Sequence, residues 1–178
     1  MTTAAEVVSF WKAAGPAAWF RKDDGFDSEF RSRFLAAHER AARGELDSWA
    51  VTAEGALALL ILLDQFPRNS FRGTARMYAT DEQALALANR AIAAGHDLIT
   101  EQALRLFFYL PFEHAENLSD QQRAMQLVEP LGEELTHYAR IHLEAIERFG
   151  RFPHRNAILG RESTPEELAF LADGGFAG

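Results

Sequence analysis

Residues 54–64 read Glu-Gly-Ala-Leu-Ala-Leu-Leu-Ile-Leu-Leu-Asp, an apolar block from Gly55 to Leu63 closed at each end by a carboxylate. Crossing a bilayer takes roughly 20 apolar residues, and this block is about half that long, so it belongs inside a protein core. A helix that is apolar on every side is one surrounded by other helices. A buried helix is therefore expected from about Ser48 to Phe66, with the rest of the chain supplying its neighbours.

Helix signals continue in both directions. Upstream, Thr3 to Glu6 fits a capping box, in which a hydroxyl and a glutamate satisfy each other's free backbone donors. Val7, Trp11 and Ala14 follow on one face until Gly15-Pro16. Asp27 is placed to cap a second helix carrying Phe30, Phe34, Ala37 and Ala41 and ending near Gly44. Downstream, Thr80 to Gln83 opens a helix that leaves at Gly95. Thr100 starts a short apolar one over Ala103–Leu110, and Ser119 to Gln122 opens another that Pro130 interrupts. A longer helix is expected from Glu133 to Phe149, with Tyr138, Ile141, His142, Ala145 and Phe149 on one face. Thr164-Pro165-Glu166-Glu167 is a capping box with proline at the first helical position, and that helix stops at Gly174-Gly175. Sustained strand alternation and Asn-Gly or Asp-Gly hairpin turns are missing. The expected fold is all-α, one domain over residues 1–178, with about eight helices stacked as antiparallel hairpins. Phe66-Pro67, Leu110-Pro111 and Phe152-Pro153 read as helix exits 44 and 42 residues apart, the length of a helix pair with its loops.

The 178 residues carry 18 basic and 26 acidic side chains, a formal charge of −8, and 48% are hydrophobic, the balance of a globular chain able to bury a core. Zero cysteines exclude disulfides, thiolate metal sites and cysteine nucleophiles. The acidic balance argues against a nucleic-acid partner, which calls for a basic footprint. The start, MTTAAEVVSFW, lacks the regions of a targeting signal, so a soluble cytoplasmic protein without membrane contact is expected. Phosphate loops and nucleophile elbows are absent as motifs. Trp11, Trp19 and Phe20 are expected near the surface, closing one end of the core or serving a homo-oligomer interface.

Polar chemistry gathers in three segments. Asp64-Gln65-Phe66-Pro67-Arg68-Asn69-Ser70-Phe71-Arg72-Gly73 is echoed by Arg151-Phe152-Pro153-His154-Arg155-Asn156-Ala157-Ile158-Leu159-Gly160-Arg161. Both follow Phe-Pro with Arg-Asn and a further Arg near Gly. Arginine offers a planar fork of donors suited to carboxylate or phosphate. From His137 to Arg161 the chain holds five arginines against two glutamates, a cationic island in an acidic protein. The third segment, Phe107 to Asn117, places Glu113, His114 and Glu116 together. Glu134-x-x-His137 is half of a dimetal motif with no second copy, so no metal site is assigned from it. His142 falls on an apolar stripe and reads as a core histidine, while His38 and His96 join no constellation.

LLDQFPRNSFRGTARMYATD (62–81), FFYLPFEHAENLSDQQ (107–122) and FGRFPHRNAILGRESTPEELAFL (149–171), with SFWKAAGPAAWFRKDDGFDSEFR (9–31), closely resemble the bacterial domain of unknown function 924 family over essentially the whole chain. The resemblance implies an all-α, tetratricopeptide-like right-handed array. It implies no activity or cofactor. The spacing of 42–44 departs from the period of roughly 34 in tetratricopeptide repeats, so no standard peptide groove follows.

Two functions fit these residues. In the first, Arg68, Asn69, Arg72, His114, Glu116, Arg151, His154, Arg155, Asn156 and Arg161 line a concave site for an acidic small molecule or peptide terminus. In the second, the protein is a hydrolase or lyase. His114 or His154 then exchanges protons, Glu113 or Glu116 is its partner, and Arg155 clamps developing charge; a metal-assisted form uses His114, Glu116 and His154. A structural reading competes with both: the arginines cap helix ends or pair with carboxylates such as Asp64 and Glu147.

Overall fold

The computed structural model describes residues 1–177, and all regular structure among them is helical. The chain forms two compact units, residues 1–72 with 76–111, and residues 73–75 with 112 onward. None of the helices in the described residues is long and apolar enough to cross a membrane.

In the first unit, α1 (Ala4–Ala14) begins with the Thr3–Glu6 capping box and buries Val7 and Trp11. The short α2 (Pro16–Trp19) turns the chain back, and Trp19 Nε1 donates to the Trp11 carbonyl at 2.7 Å. Both tryptophans are therefore core residues, contrary to the expected surface position; Phe20 alone stays exposed. Helix α3 (Asp24–Ala42) is capped by Asp23, whose side chain accepts from the Phe26 N–H. Asp27 thus lies inside the helix, on the same buried stripe as Phe30, Phe34, Ala37 and Ala41.

The apolar block behaves as expected at its centre and differently at its ends. A 3-10 turn over Asp47–Val51 precedes it, and Thr52 caps α4 (Ala53–Leu60). Gly55 is required there, since a Cβ would stand 2.0 Å from the Trp49 carbonyl oxygen. The helix does not exit at Phe66. It widens into a π turn over Ile61–Gln65 and continues as α5 (Phe66–Ser70). Proline in an α-helix removes one N–H and clashes with the carbonyl four residues back. Here the Phe66 N–H reaches the Ile61 carbonyl, and Pro67 has no N–H to give, so the carbonyls of Leu62 and Leu63 are released. His38 Nδ1 donates to the first at 2.9 Å and Thr80 Oγ1 to the second at 2.5 Å. Helix α4 packs on α1 and on α6 (Asp81–Ala93), and α5 packs on α3. The short α7 (His96–Ile99) and α8 (Gln102–Arg105) follow, with a 3-10 turn over Leu106–Phe108.

Helix α9 (Leu110–Glu113) leads into the second unit. Pro111 and Pro153, like Pro67, sit in the first turn of a helical segment and not at an exit, because a missing N–H is tolerated there. The three prolines therefore do not mark the ends of repeats. Helix α10 (Leu118–Val128) is capped by the Asn117 side chain, not by Ser119, and packs along α11 (Glu133–Phe149). Tyr138 is exposed; the buried stripe of α11 carries Thr136, Ala139, Ala145 and Ile146. Helix α12 (Pro165–Ala172) starts with the expected Thr164–Glu167 capping box.

Candidate functional site

The two echoing segments lie in different units, and each is held by carboxylates of its own unit. In the first, the π turn and α5 carry Asp64, Gln65, Arg68 and Asn69 on adjoining turns. Arg68 donates to both oxygens of Asp81 at 2.8 and 2.9 Å, to Asp64 Oδ1 at 3.2 Å and to the Asp64 carbonyl at 2.9 Å. Burial works against the Arg68 charge, and Asp64 and Asp81 outweigh it, so its pKa lies above the ordinary arginine value. Asn69 donates to Asp27 at 2.6 Å, and Arg72 joins the same carboxylate at 2.8 Å. Asp27 is the residue that sequence reasoning misplaced. Its spacing from Phe30 and Phe34 on an apolar stripe is the signal, because a buried carboxylate needs a partner.

In the second unit, Gln121 fixes the turn that follows α9. Its amide nitrogen, fully buried, donates to the carbonyls of Phe112, Glu113 and Ala115 at 3.3, 2.6 and 2.8 Å. That turn presents Glu113, His114 and Glu116. Glu116 receives Arg161 at 2.6 and 2.9 Å and the Phe152 N–H at 2.7 Å. Burial opposes its charge, but these donors win and hold its carboxyl below the usual range. Arg151 pairs with Glu167 at 2.6 and 2.9 Å. Asn156 donates to Glu167 at 3.2 Å and to Ser163 at 3.1 Å, and accepts from Arg161 at 2.9 Å. Hydrogen bonds from Arg151 and from the Thr164 and Asn156 nitrogens pull the Glu167 carboxyl down to about 2. The carboxylates engaging these arginines are Glu116 and Glu167, not Glu147.

His154 and Arg155 stand beside this network, near enough for Glu116 and Arg161 to act on the His154 ring and for Arg155 to act on the Glu116 carboxylate. Both stand on the 3-10 turn Pro153–Arg155, with Phe152 just before it. The Arg155 guanidinium lies 4.5 Å from the Phe152 ring centroid. His142, on α11, meets Phe152 edge-on at 5.7 Å, and His114 lies 6.2 Å from His142. Phe176, after α12, packs against His142 at 4.3 Å, His154 at 5.2 Å and Phe152 at 5.8 Å. Burial, aided by the positive charge of Arg155, lowers His142 to about 3 and His154 to about 4. Both rings are neutral across the physiological range. His154 Nδ1 is buried and has no hydrogen-bond partner among the described residues.

Of the ten residues singled out from sequence, His114, His154 and Arg155 gather at this cluster, where His114 and Arg155 have partners too, and the side chains of Arg68, Asn69, Arg72, Glu116, Arg151, Asn156 and Arg161 are engaged as described. His142 and Phe176 were missed. His142 was read as core because it shares a helix face with Ala145, and core packing and site membership coincide there. No described group of three or more histidines and carboxylates is arranged to hold a metal ion. Glu116, one donor of the expected metal-assisted set, spends both oxygens on Arg161 and the Phe152 N–H. A groove of about 620 Å³ lies in the first unit between α1 and α3, around Phe10, Phe26, Glu29 and Arg33, and none of the ten residues lines it.

No curated protein matches the chain. A solved structure, that of the protein of unknown function ATU0120 from Agrobacterium tumefaciens, is 58% identical, with a TM-score of 0.94 over 96% of this chain and 97% of that one. The profile of the bacterial proteins of unknown function DUF924 matches residues 7–175. With the helical fold and the match over nearly its full length together, the chain belongs to the DUF924 family.

Proposed function

We propose that this protein binds a small acidic ligand, and that the second unit's His154–Arg155 turn is where the acid is received. The observation that carries the reading is His154: an imidazole nitrogen sealed from solvent without a hydrogen-bond partner, next to a guanidinium. Buried polar atoms are nearly always paired, and an unpaired one calls for a reason. The ring gives its other nitrogen's proton to the Phe176 backbone, so in the neutral form the buried Nδ1 is an acceptor that would meet the hydroxyl of an acid or a bridging water, and Arg155 supplies the positive field. The low pKa values of His142 and His154 favour binding over proton transfer, since an acid–base group works best with a pKa near the operating pH. The tetratricopeptide-like stacking of the helices and a cytoplasmic setting remain part of this proposal.

The test is a thermal-unfolding screen with acetate, succinate, benzoate and inorganic phosphate, followed by imidazole resonances on titration. Saturation at a hundredfold excess over the dissociation constant adds about 2.7 kcal/mol. His154→Phe should abolish the gain while leaving the ring packing in place. A panel that shifts neither the midpoint nor the His154 signals would overturn the reading.

A further inference from the structure

The groove of about 620 Å³ between α1 and α3 runs on, past Glu6 and Arg33, into a second hollow of about 260 Å³ beside Thr2 and Phe34. Its shape follows from the two faces of α1. Val7 and Trp11 point into the core, and the opposite face presents the short, exposed side chains of Ala5, Ser9 and Ala13. Across from them α3 contributes Phe26, Glu29 and Arg33, which the i, i+3, i+7 spacing sets on one face. Half-buried Phe10 makes the floor, its ring stacked on Phe26 at 5.3 Å and on Phe30 at 5.4 Å. From Ala5 to Ala14 the trough is about 14 Å long, at the helical rise of about 1.5 Å per residue.

The rim carries two carboxylates, one from each helix. Glu6 gives Oε2 to the N–H and hydroxyl of Thr3, donors that hold its carboxyl below the usual range, and Oε1 takes no part in that cap. Glu29 is 60% exposed and receives Arg33 through Oε1 at 3.3 Å. The Arg33 guanidinium also lies 4.8 Å from the Phe10 centroid and 5.4 Å from that of Phe34. One cation thus stands against two anions in a chain whose formal charge is −8, so the local excess and the long-range field have the same sign.

From the juxtaposition of a phenyl and methyl floor with the Glu6 and Glu29 carboxylates, we propose that the trough receives a basic amphipathic helix of a protein partner. The apolar stripe of that helix lies on Phe10, Phe26 and the alanines, and its Lys or Arg side chains meet Glu6 and Glu29. Laying an amphipathic helix in an apolar groove is a recurrent mode of recognition, and short side chains on the receiving helix let the two backbones approach. A second copy of this chain fits less well. An isologous contact puts the same patch on both sides, and here it sets the carboxylates of one rim against those of the other. The inference stands apart from the acid site proposed for the second unit and does not rest on it.

The experiment uses three probes: a synthetic peptide repeating Leu-Lys-Lys-Leu-Leu-Lys-Leu twice, the same peptide with glutamate for every lysine, and heptalysine. Affinity is read by calorimetry, and the site by the Phe10 and Phe26 ring resonances. The lysine–leucine helix should bind the unsubstituted protein and shift both rings, heptalysine should bind at least tenfold more weakly, and the glutamate peptide should not bind. Ser9→Arg and Ala13→Arg place a long side chain across the trough from exposed positions, and each should weaken the helix at least tenfold with Tm unchanged. Glu6→Gln keeps a capping box, which glutamine also forms, and should weaken the helix severalfold, whereas Glu133→Gln in the second unit should leave it unchanged. Undiminished binding to both arginine variants would put the helix elsewhere and overturn the trough. Equal affinity for the glutamate peptide, or for heptalysine, would overturn the pairing of apolar floor with acidic rim, and a lysine–leucine helix that does not bind would overturn the proposal whole. A concentration-dependent dimer in sedimentation, abolished by Ser9→Arg, would give the trough to a second copy and overturn the basic partner.

Discussion

Replacing Arg68 with methionine tests the ion-pair account of the first unit most directly. The Asp64 side chain is 1% exposed and the Asp81 side chain 17%, and Arg68 bonds both. Methionine keeps much of the apolar stem and removes the charge, so Asp64 retains Gln65 Nε2 at 2.7 Å but loses this cation. Breaking a buried pair from one side costs about 3–5 kcal/mol. For a chain of this size each kcal/mol lowers Tm by about 2–4 °C, which makes the expected loss about 6–20 °C at pH 7. The sign of the pH effect is the sharper measurement. Without Arg68 the buried Asp64 carboxyl should titrate above its unfolded value, so the folded state binds the proton first. The penalty then shrinks as pH falls from 7 to 5. Urea unfolding monitored by circular dichroism at both pH values gives the two free energies. A loss below 1 kcal/mol at pH 7, or a penalty that is no smaller at pH 5, would refute the reasoning.

Other measurements address other links. His142 and His154 protonate near 6.5 when unfolded but only at about 3 and about 4 when folded. The unfolded chain therefore binds more protons, and stability falls as pH drops below 6.5, by about 2 kcal/mol per histidine between pH 7 and pH 5. His142→Gln should flatten that acid limb, and an equally steep limb would count against the assignment. Below 4.5, Glu167 and Glu116 add to the loss, since their folded pKa values are depressed and their stabilisation disappears as they protonate. Thr80→Val should cost about 1–3 kcal/mol in urea unfolding, by leaving the released Leu63 carbonyl without its donor. Gly55→Ala gains about 1 kcal/mol of helix propensity, yet it should lower Tm because its Cβ meets the Trp49 carbonyl.

Much of the helical framework was legible because its signals are local. The capping boxes at Thr3 and Thr164 and the span Glu133–Phe149 stand where spacing and cap chemistry put them. The misplaced features share one cause. Asp27 and Ser119 are residue types that cap helices, and each is placed by its own chemistry; Thr80 does stand at the start of α6, but its hydroxyl goes to the Leu63 carbonyl and not to the helix. The competing caps, Asp23 and Asn117, and the Leu63 carbonyl that recruits Thr80, are decided by neighbours. Pro67 misled for a similar reason. Proline ends an α-helix only if the carbonyl four residues back cannot be served, and here a π turn and two side chains from elsewhere serve both released carbonyls.

The candidate site divides along the same line. Residue types, the echo of Phe-Pro…Arg-Asn and the cationic island were readable from the chain alone, and so was the all-α class, since hydrophobic periodicity and capping act over a few residues. Which carboxylate each arginine finds was decided by tertiary structure. Asp27 lies 42 residues from Asn69 and Glu116 lies 45 from Arg161. Pairing across such separations depends on how helices pack, and no local pattern encodes it. The cluster of His114, His142, His154 and Phe176 likewise exists only where the turn after α9, helix α11, the Pro153–Arg155 turn and the segment after α12 come together.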